Sequence, residues 1–339
     1  MKINKSELQE ALAKVKPGLA SKDLIEQATS FAFMDGRVVT YNDEISISHP
    51  VQDLDISGAI KAEALYSFLG KLKKDEIFIN RDDNQVIIQA GKAKAGLILE
   101  QEIKLPVQEI GEIKEWKPLP EGIVQGLKFC YPSCSTDMSN PILTCVYVNG
   151  DKVQSTDSFQ ITEYKIKGEV PVPAFLIPST VVRELIKYDV KEIAEGDGWM
   201  HFRTEEGTIF SCRVFGGDFP DVSKFLKVKG MDIRFPKTII GALEKAQIFS
   251  KNQLNVDYLE IVHVEITEGN ITISTKGEFG WFEEKARIQY SGAPIKFSTG
   301  VGFLMNLLKS MDTPECTLGE NQIQFKDAQW THVLAITSE

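Results

Sequence analysis

The side chains most able to do chemistry are cysteines and histidines, and their spacing supports no catalytic or metal site. The cysteines are Cys130, Cys134, Cys145, Cys212 and Cys316. Cys130 and Cys134 lie four residues apart in CYPSC, but no second pair follows to complete a zinc site. An odd and scattered set predicts buried thiols in a reducing cytosol, not a disulfide framework.

The histidines lie at predicted strand positions or strand ends, and none is close in sequence to a cysteine. They are His49, His201, His263 and His332. No Gly-rich phosphate loop, GxSxG elbow or HExxH motif occurs. Acidic pairs such as Asp82-Asp83 occupy predicted hairpin tips, where solvated carboxylates are usual. The sequence therefore predicts a protein that is not an enzyme, with no cofactor, no catalytic residue and no metal.

The elements that would position any site follow one pattern that occurs three times. Residues 31–48 read FAFMDGRVVTYNDEISIS, residues 145–162 read CVYVNGDKVQSTDSFQIT, and residues 262–282 read VHVEITEGNITISTKGEFGWF. In each segment, alternating apolar residues run into Asp-Gly, Asn-Gly or Glu-Gly and then alternate again. This pattern predicts a β-hairpin.

Amphipathic helices alternate with these hairpins. Each hairpin precedes a short segment with apolar residues at i, i+3 and i+4, as in Leu65, Phe68 and Leu69. A second hairpin then follows, at 76–89, 199–214 and 316–325. Each block also opens with its own helix. Asn4, Ser179 and Thr299 are expected N-caps.

The repeating unit is helix, strands, helix, strands, with a period of about one third of the chain. Many α+β proteins alternate in this way, but three copies in the same order favour a true repeat. The sequence predicts an α+β fold of three domains, at residues 1–114, 115–228 and 229–339.

Several local motifs resemble those of one family. Residues Gly217–Leu226 read GDFPDVSKFL, Thr156–Ile161 read TDSFQI, and Ser291–Leu308 read SGAPIKFSTGVGFLMNLL. In their order and spacing they are similar to segments of the bacterial DNA sliding clamp, the β subunit of the replicative DNA polymerase III. The resemblance is distant but covers the whole chain. The chain is shorter than a typical member, which fits a divergent or phage-encoded one.

The resemblance implies a DNA-clamp fold, in which each of three repeated domains places two helices inside a ring and β-sheets outside. It implies a cytoplasmic homodimer that encircles double-stranded DNA without reading its sequence. Such a ring is a processivity factor: it tethers DNA polymerase and clamp-loader subunits through a peptide groove between domains 2 and 3.

Basic residues on the predicted helices are candidates to face DNA, because phosphate contacts by Lys and Arg position a protein without specifying sequence. The alternative is that cations near helix C-termini complement the helix dipole. The candidates are Lys14, Lys22, Lys71, Lys74, Lys128, Arg183, Lys187, Lys245, Lys251 and Lys309.

The resemblance also places the partner-peptide groove. Ser158, Phe159 and Gln160 replace the family's Gly, His and Arg, so a different preferred peptide is expected. Phe159 and Ile336 could instead be core residues. The predicted groove residues are Thr156, Ser158, Phe159, Gln160, Ile161, Pro220, Phe225, Val333, Ala335 and Ile336.

For the dimer interface, the resemblance points to Ile248 and Phe249, and to a receiving strand at Ala95–Leu99 that includes Leu97 and Leu99. Pairing two sheet edges would also remove exposed edges. Core packing is a rival interpretation of Ile248.

Composition leaves two other classes of function open. The net charge is −10, which argues against a nucleic-acid binder unless the positive charge is confined to one surface. Screening over roughly 8 Å would then hide an acidic exterior from DNA. The alternatives are a structural ring or assembly protein of a virus and a hydrolase without a recognisable motif. No apolar run is long enough for a membrane helix, and the N-terminus does not resemble a secretion signal.

Overall fold

The structure is a computed structural model that describes residues 1–52, 54–111, 113–252, 260–309, 311 and 315–338. It contains two compact units. Unit 1 combines Met1–Lys128 with Gly168–Gly216, and unit 2 combines Phe129–Lys167 with Gly217–Glu339.

Within the described residues the α-helices are α1 (Lys5–Val15), α2 (Ala62–Lys71), α3 (Ile123–Cys130), α4 (Ser179–Leu185), α5 (Ile239–Ser250) and α6 (Val301–Lys309). The strands of the first third are β1 (Lys2–Asn4), β2 (Ser30–Met34), β3 (Arg37–Tyr41), β4 (Ile45–Pro50), β5 (Gly58–Lys61), β6 (Glu76–Asp82), β7 (Gln85–Ala90) and β8 (Ala93–Ile98). Those of the second are β9 (Lys117–Pro118), β10 (Cys145–Asn149), β11 (Lys152–Thr156), β12 (Gln160–Lys165), β13 (Phe175–Pro178), β14 (Val190–Glu195), β15 (Trp199–Thr204) and β16 (Ile209–Arg213). Those of the last are β17 (Met231–Arg234), β18 (Ile261–Thr267), β19 (Asn270–Gly277), β20 (Gly280–Arg287), β21 (Ile295–Gly300), β22 (Glu315–Leu318), β23 (Gln322–Lys326), β24 (Trp330–Ala335) and β25 (Thr337–Ser338).

The predicted repeat of elements is present in the chain order. A short strand, a helix, three strands, a strand that leads into a second helix, and three more strands occur three times in succession. The proposed boundaries at 114/115 and 228/229 stay a prediction.

Unit 1 contains two antiparallel sheets. The larger has the order β5-β2-β3-β4-β16-β15-β14-β9, and the smaller has the order β1-β6-β7-β8. In the larger sheet, β4 of the first repeat pairs with β16 of the second, with Ile47 opposite Phe210. This β4–β16 junction makes one sheet from strands of two repeats.

Unit 2 has the same kind of junction. Seven of its strands run in the order β10-β11-β12-β24-β23-β22-β17, and five run in the order β20-β19-β18-β21-β25. The β12–β24 junction joins the second repeat to the third, with Ile161 opposite Val333 and Thr162 opposite His332.

Turn chemistry explains the hairpins. Asp35 and Gly36, between β2 and β3, have φ values of 51° and 68°. A two-residue hairpin of this kind needs a positive φ at both central residues, and Asp and Gly adopt it at low cost. The Asp-Gly pair in the sequence therefore predicted this turn correctly.

Each helix buries one stripe of apolar side chains and exposes the polar side chains on its opposite side. In α4, Val181, Val182 and Leu185 are buried while Arg183 is exposed. In α6, Leu304 and Leu308 join the core of unit 2. Since 3.6 residues complete a turn, cations between the apolar positions remain in solvent.

Two of the three predicted N-caps are wrong. The Asn4 carboxamide accepts hydrogen bonds from the backbone N–H groups of Ser6 and Glu7, at 2.9 and 3.3 Å, as expected of a cap. Ser179 is instead the first residue within α4, after Pro178. Thr299 belongs to β21, and its hydroxyl donates to the Ala335 carbonyl at 3.0 Å.

Candidate functional surfaces

The ten basic candidates lie in helices or within a few residues of a helix end, and they fall into two classes. Four of them form ion pairs: Lys14 with Glu206, Lys187 with Glu184, Lys245 with Glu284, and Lys309 with Glu244. Their carboxylate partners neutralise them locally, and exposed pairs of this kind contribute only about 0–1 kcal/mol to stability.

The other six candidates are exposed and form no ion pair within the described residues. They are Lys22, Lys71, Lys74, Lys128, Arg183 and Lys251. These are the groups whose charge remains available to an anion. The distinction depends on tertiary contacts, since Lys14 and Glu206 are 192 residues apart in sequence.

The predicted groove residues lie in unit 2 around the β12–β24 junction. Side chains directly opposite each other in an antiparallel pair share a face. One face of the sheet, here called the outer face, therefore carries Ile161, Val333 and Gln324 in one row. Thr156, opposite Ile161, belongs to the same face. Ala335, two residues after Val333, also points to that side.

The opposite face is the core face, and it holds two of the predicted groove residues. Ile336 is only 7% exposed and belongs to the core of unit 2. Gln160 is opposite Leu334, another core residue, and is 6% exposed. These two side chains pack on the core face; on the outer face, Thr156 and Val333 are buried as well, at 5% and 2% exposure.

A tight turn between β11 and β12 presents Phe159. The Asp157 carboxylate accepts from the backbone N–H groups of Phe159 and Gln160, both at 2.9 Å, and from the Gln160 amide at 2.8 Å. Burial raises the pKa of Asp157 despite these bonds. Ser158 has a φ of 79°, a left-handed conformation that favours glycine. Phe159 is 41% exposed as a result of this geometry.

The segment 217–230 crosses the outer face. The Phe219 ring stacks on Tyr147 of β10, with centroids 4.9 Å apart. Further along, the Leu226 carbonyl accepts from the Gln324 amide at 2.5 Å. Pro220 and Phe225 lie on this segment, and Phe225 is 40% exposed. The outer face thus combines strand residues, a covering segment and two exposed phenylalanines.

Among the strands at the sheet edges of the described residues, two are the last strand of a three-strand group. The strand orders place β8 at the edge of the four-stranded sheet and β20 at the edge of the five-stranded sheet. Within the chain, junctions β4–β16 and β12–β24 pair the last strand of one three-strand group with the last strand of another. β8 and β20 are the last strands of the two remaining three-strand groups, and within the described residues neither pairs with such a strand.

The predicted interface residues only partly match these edges. Ile248 is 61% exposed, and Phe249 stacks on Phe282 of β20 with centroids 6.0 Å apart. Leu97 is half-buried in β8. Leu99 is 2% exposed and lies beyond the strand, packed against Gly58, so its side chain is not available at the edge.

No protein-family model matches the chain, and no curated protein matches its sequence. Solved structures do match along its whole length. A sliding clamp (DNA polymerase III subunit beta) from Bartonella birtlesii is 15% identical, with a TM-score of 0.85, over 99% of this chain and 98% of the other. The DNA polymerase beta subunit of Streptococcus pyogenes is 19% identical, with a TM-score of 0.84, over 100% and 99%. The clamp of Bacillus subtilis is 19% identical, with a TM-score of 0.80, over 99% and 98%.

The chain has the DNA sliding-clamp fold. The predicted fold class and the resemblance seen in the sequence are confirmed by this agreement. In addition, the described residues of this sliding-clamp fold contain no helix long and apolar enough to cross a membrane.

Burial favours the neutral forms of three histidines and of the buried cysteines. His49, His201 and His332 each accept or donate one hydrogen bond to a hydroxyl, of Thr208, Ser211 and Thr162, at 2.7–2.8 Å. Burial lowers the pKa of each of these histidines to about 4. The five cysteines are buried, and burial raises the pKa of the Cys130 and Cys212 thiols well above the usual value.

Sequence reasoning missed the most exposed apolar side chains of the two edges. Ile98, Trp281 and Phe279 are 74%, 72% and 68% exposed. Trp281 and Ile98 are outward positions of strands that alternate between half-buried and exposed residues. The available signal was the alternation itself: in GWFEEKAR, Trp281 falls on the opposite face from Phe282, which packs on the core.

Proposed function

We propose that the chain is a DNA polymerase processivity factor, a ring that encircles duplex DNA and tethers replication proteins to it. The observation that carries this proposal is the fold match, which extends over 99–100% of this chain and 98–99% of three bacterial sliding clamps. A match of this extent includes every repeat, so the likeness is not confined to one domain.

The charge distribution fits a ring that slides. A topological hold on DNA needs no tight contacts, and phosphate attraction that is weak and blind to sequence leaves the ring free to move. The six unpaired cations in the helices or near their ends supply such attraction, while the net charge of −10 disfavours DNA binding by other surfaces. Under this proposal the chain has three domains, with boundaries near residues 114 and 228, and its helices line the hole.

The two open edges support closure by a second copy of the chain. β8 and β20 carry exposed apolar side chains and correspond to the strands that form the internal junctions. In a head-to-tail pair, β8 of each chain would meet β20 of the other, so that no edge of this kind stays exposed. The proposed interface comprises Leu97, Ile98, Ile248, Phe249 and Trp281.

The outer face around the β12–β24 junction is the proposed tether. A shallow apolar surface with a few polar groups suits an extended peptide from a polymerase or clamp-loader subunit. The proposed groove presents Ser158, Phe159, Ile161, Pro220, Phe225 and Ala335 at its surface, and Thr156 and Val333 are buried beneath it. The activity is binding without catalysis, in the cytoplasm where replication takes place.

Trapping on DNA with blocked ends tests this function without a clamp loader. A linear duplex with biotin at both ends is incubated with the protein, and streptavidin is then added. A ring that has threaded onto the DNA stays bound in high salt until a restriction enzyme cuts the duplex. If streptavidin is added first, no salt-resistant complex should form. Equal binding in the two orders would contradict encirclement.

A further inference from the structure

One face of the larger sheet in unit 1 carries an aromatic pair and a row of hydroxyls. Side chains directly opposite each other in antiparallel strands share a face, and Ser46 is opposite Ser211 across the β4–β16 junction. Tyr41 is opposite Ser46, and His201, two residues after Trp199 in β15, is opposite Ser211. The rings of Tyr41 and Trp199 are tilted against each other, with centroids 6.0 Å apart. This face is called the Tyr41–Trp199 surface.

A segment of the same chain covers this surface. Residues 101–111, here called the strap, follow β8 and lead into the second repeat. Leu105 of the strap is 2% exposed and packs in one apolar cluster with Tyr41 and Trp199, which are each 1% exposed. Three further side chains of the strap are partly buried against the same cluster: Ile103, Val107 and Ile110. The strap therefore hides two large rings under apolar side chains.

Hydrogen bonds fix the strap near its two ends. The Lys104 N–H donates to the Gln27 amide oxygen at 2.8 Å, and just beyond the strap the Lys114 N–H donates to the Glu195 carbonyl at 3.4 Å. Between these two bonds, the described backbone hydrogen bonds of the strap join it only to itself. The middle of the strap is thus held to the Tyr41–Trp199 surface by side-chain packing, and it can lift without breaking a hydrogen bond of the sheet.

The strap leaves polar atoms of this face without a partner. Among the described residues, the Nε2 of His201 and the Oγ of Ser30 are buried and make no hydrogen bond, and both residues are 0% exposed. Ser30 shares its face of β2 with Ala32, which packs in the same apolar cluster as Leu105. Buried polar atoms are normally satisfied, and an unsatisfied one disfavours the state that buries it. The strap is therefore an imperfect partner for the face that it covers.

Unit 2 has the corresponding arrangement in a more open form. Segment 217–230 follows β16 as the strap follows β8. It leaves Phe159 and Phe225 of the proposed groove 41% and 40% exposed, whereas the strap leaves both rings of its surface buried. Segments at the same position of two repeats thus cover two junctions, and the proposed groove is the one that stays partly uncovered.

We propose that the Tyr41–Trp199 surface is a second docking surface, which the strap occupies until a partner protein displaces it. The partner contributes an extended segment with apolar side chains at alternate positions. The strap itself shows that the surface accepts such a segment, because Ile103, Leu105 and Val107 follow one another at intervals of two residues. Tyrosine and tryptophan rings are frequent anchors of protein interfaces, and an extended segment is a common form of bound peptide.

The attachment of the strap limits the affinity that a partner can reach. Because the strap is linked to unit 1 at both ends, it competes at a high effective concentration. A partner binds only the fraction of chains whose strap is lifted, so its apparent dissociation constant is the intrinsic value divided by that fraction. A change that weakens the strap should therefore strengthen the binding of a free peptide.

Fluorescence anisotropy with a labelled peptide of residues 100–111 measures this competition. The Leu105→Asp variant weakens the strap, and we expect it to bind the peptide at least about tenfold more tightly than wild type does. Leu24→Asp is the matched control, since Leu24 is 92% exposed in the same unit, and it should bind the peptide as wild type does. A peptide that itself carries Leu105→Asp should bind none of these proteins. Equal affinities of wild type and the Leu105→Asp variant would overturn the proposal.

Hydrogen exchange of the wild-type chain shows whether the strap lifts in the intact protein, so the test does not depend on the folding of a variant. An excess of the labelled peptide should raise the exchange rate of strap amides, such as that of Lys104, by at least about tenfold. The label separates the mass of the peptide from that of the strap. Amides of β4 and β16 should keep their rates, and the peptide that carries Leu105→Asp should change none. Unchanged exchange of the strap in excess peptide would overturn the proposal. Neither measurement involves DNA, so end-blocked DNA trapping can fail or succeed independently of it.

Discussion

The two junctions inside the chain and the two open edges are built from the same kind of strand but differ in burial. At the β12–β24 junction, central residues of both strands are fully covered, as in β24, where His332, Val333 and Leu334 are all buried. In β8 and β20, half-buried residues alternate with exposed ones along the whole strand. The comparison teaches that the junction strand β24 is buried on both faces, whereas the edge strands are half-buried on one face and exposed on the other.

Lowering the pH should reduce the free energy of unfolding by more than any single substitution at an edge strand does. Each junction contains a buried neutral histidine, His49 in β4 and His332 in β24, and the β8 and β20 sequences contain none. Since the folded pKa is about 4 and the unfolded value is about 6.5, the unfolded chain takes up protons first as pH falls. Stability is therefore lost between about pH 6.5 and pH 4.

At pH 5 the free energy of unfolding should be lower than at pH 7 by about 2 kcal/mol for each of the three buried histidines. Urea unfolding at both pH values measures this difference. In the H332Q variant, the loss of unfolding free energy between pH 7 and pH 5 should be smaller than in wild type by about 2 kcal/mol. An unchanged pH dependence in this variant would contradict the assignment.

A cavity at a junction should cost more stability than the same kind of truncation at an edge. Phe210 is fully buried in β16 opposite Ile47, so Phe210→Ala should lower the free energy of unfolding by about 3–5 kcal/mol. Trp281→Ala, at 72% exposure, should change the stability of the isolated chain by about 0.5 kcal/mol or less. Similar losses of unfolding free energy in the two variants would contradict the difference between junctions and edges.

A charge at an edge should act on self-association instead. Trp281→Glu should weaken dimerisation by about 100-fold, since central interface tryptophans contribute about 2–4 kcal/mol. Sedimentation velocity over a concentration series measures the dissociation constant. The control is Phe78→Glu, on an inner strand of the four-stranded sheet, at 46% exposure, which should leave the constant unchanged.

The smallest expected effect is at the turn that leads into the β12–β24 junction. Because Ser158 has a φ of 79°, Ser158→Gly should relieve strain and raise stability by about 0.5–1 kcal/mol. Gly150, with a φ of 57°, is the matched control, and Gly150→Ala should lower stability. Thermal unfolding of both variants measures the signs, and a destabilised S158G would contradict the strain argument.

Local sequence signals were sufficient for the repeat. The Asp35-Gly36 turn, the α2 stripe at Leu65 and Leu69, and the Asn4 cap each depend on residues within a few positions of one another, and each was predicted correctly. Alternation along β12, and along the chain through and just beyond β24, places Gln160 and Ile336 on the core face, which agrees with the alternative interpretation of Ile336 as a core residue.

Long-range contacts were beyond the sequence. Lys14 of α1 pairs with Glu206, 192 residues further along the chain, and neither residue type nor spacing encodes this contact. Leu99 was expected at the interface as part of a receiving strand at Ala95–Leu99, yet its side chain is 2% exposed and packs against Gly58. Such positions are decided by tertiary packing.

Covalent closure of the two edges around circular DNA tests the central claim most directly. The five native cysteines are buried, so a bismaleimide should react only with cysteines introduced by Ile98→Cys and Trp281→Cys. Dilute double-variant chains are mixed with a closed plasmid, concentrated and crosslinked. The account predicts a crosslinked dimer that stays with the plasmid in denaturing detergent and is released when the circle is cut. A crosslinked dimer that leaves the intact circle in detergent would contradict it.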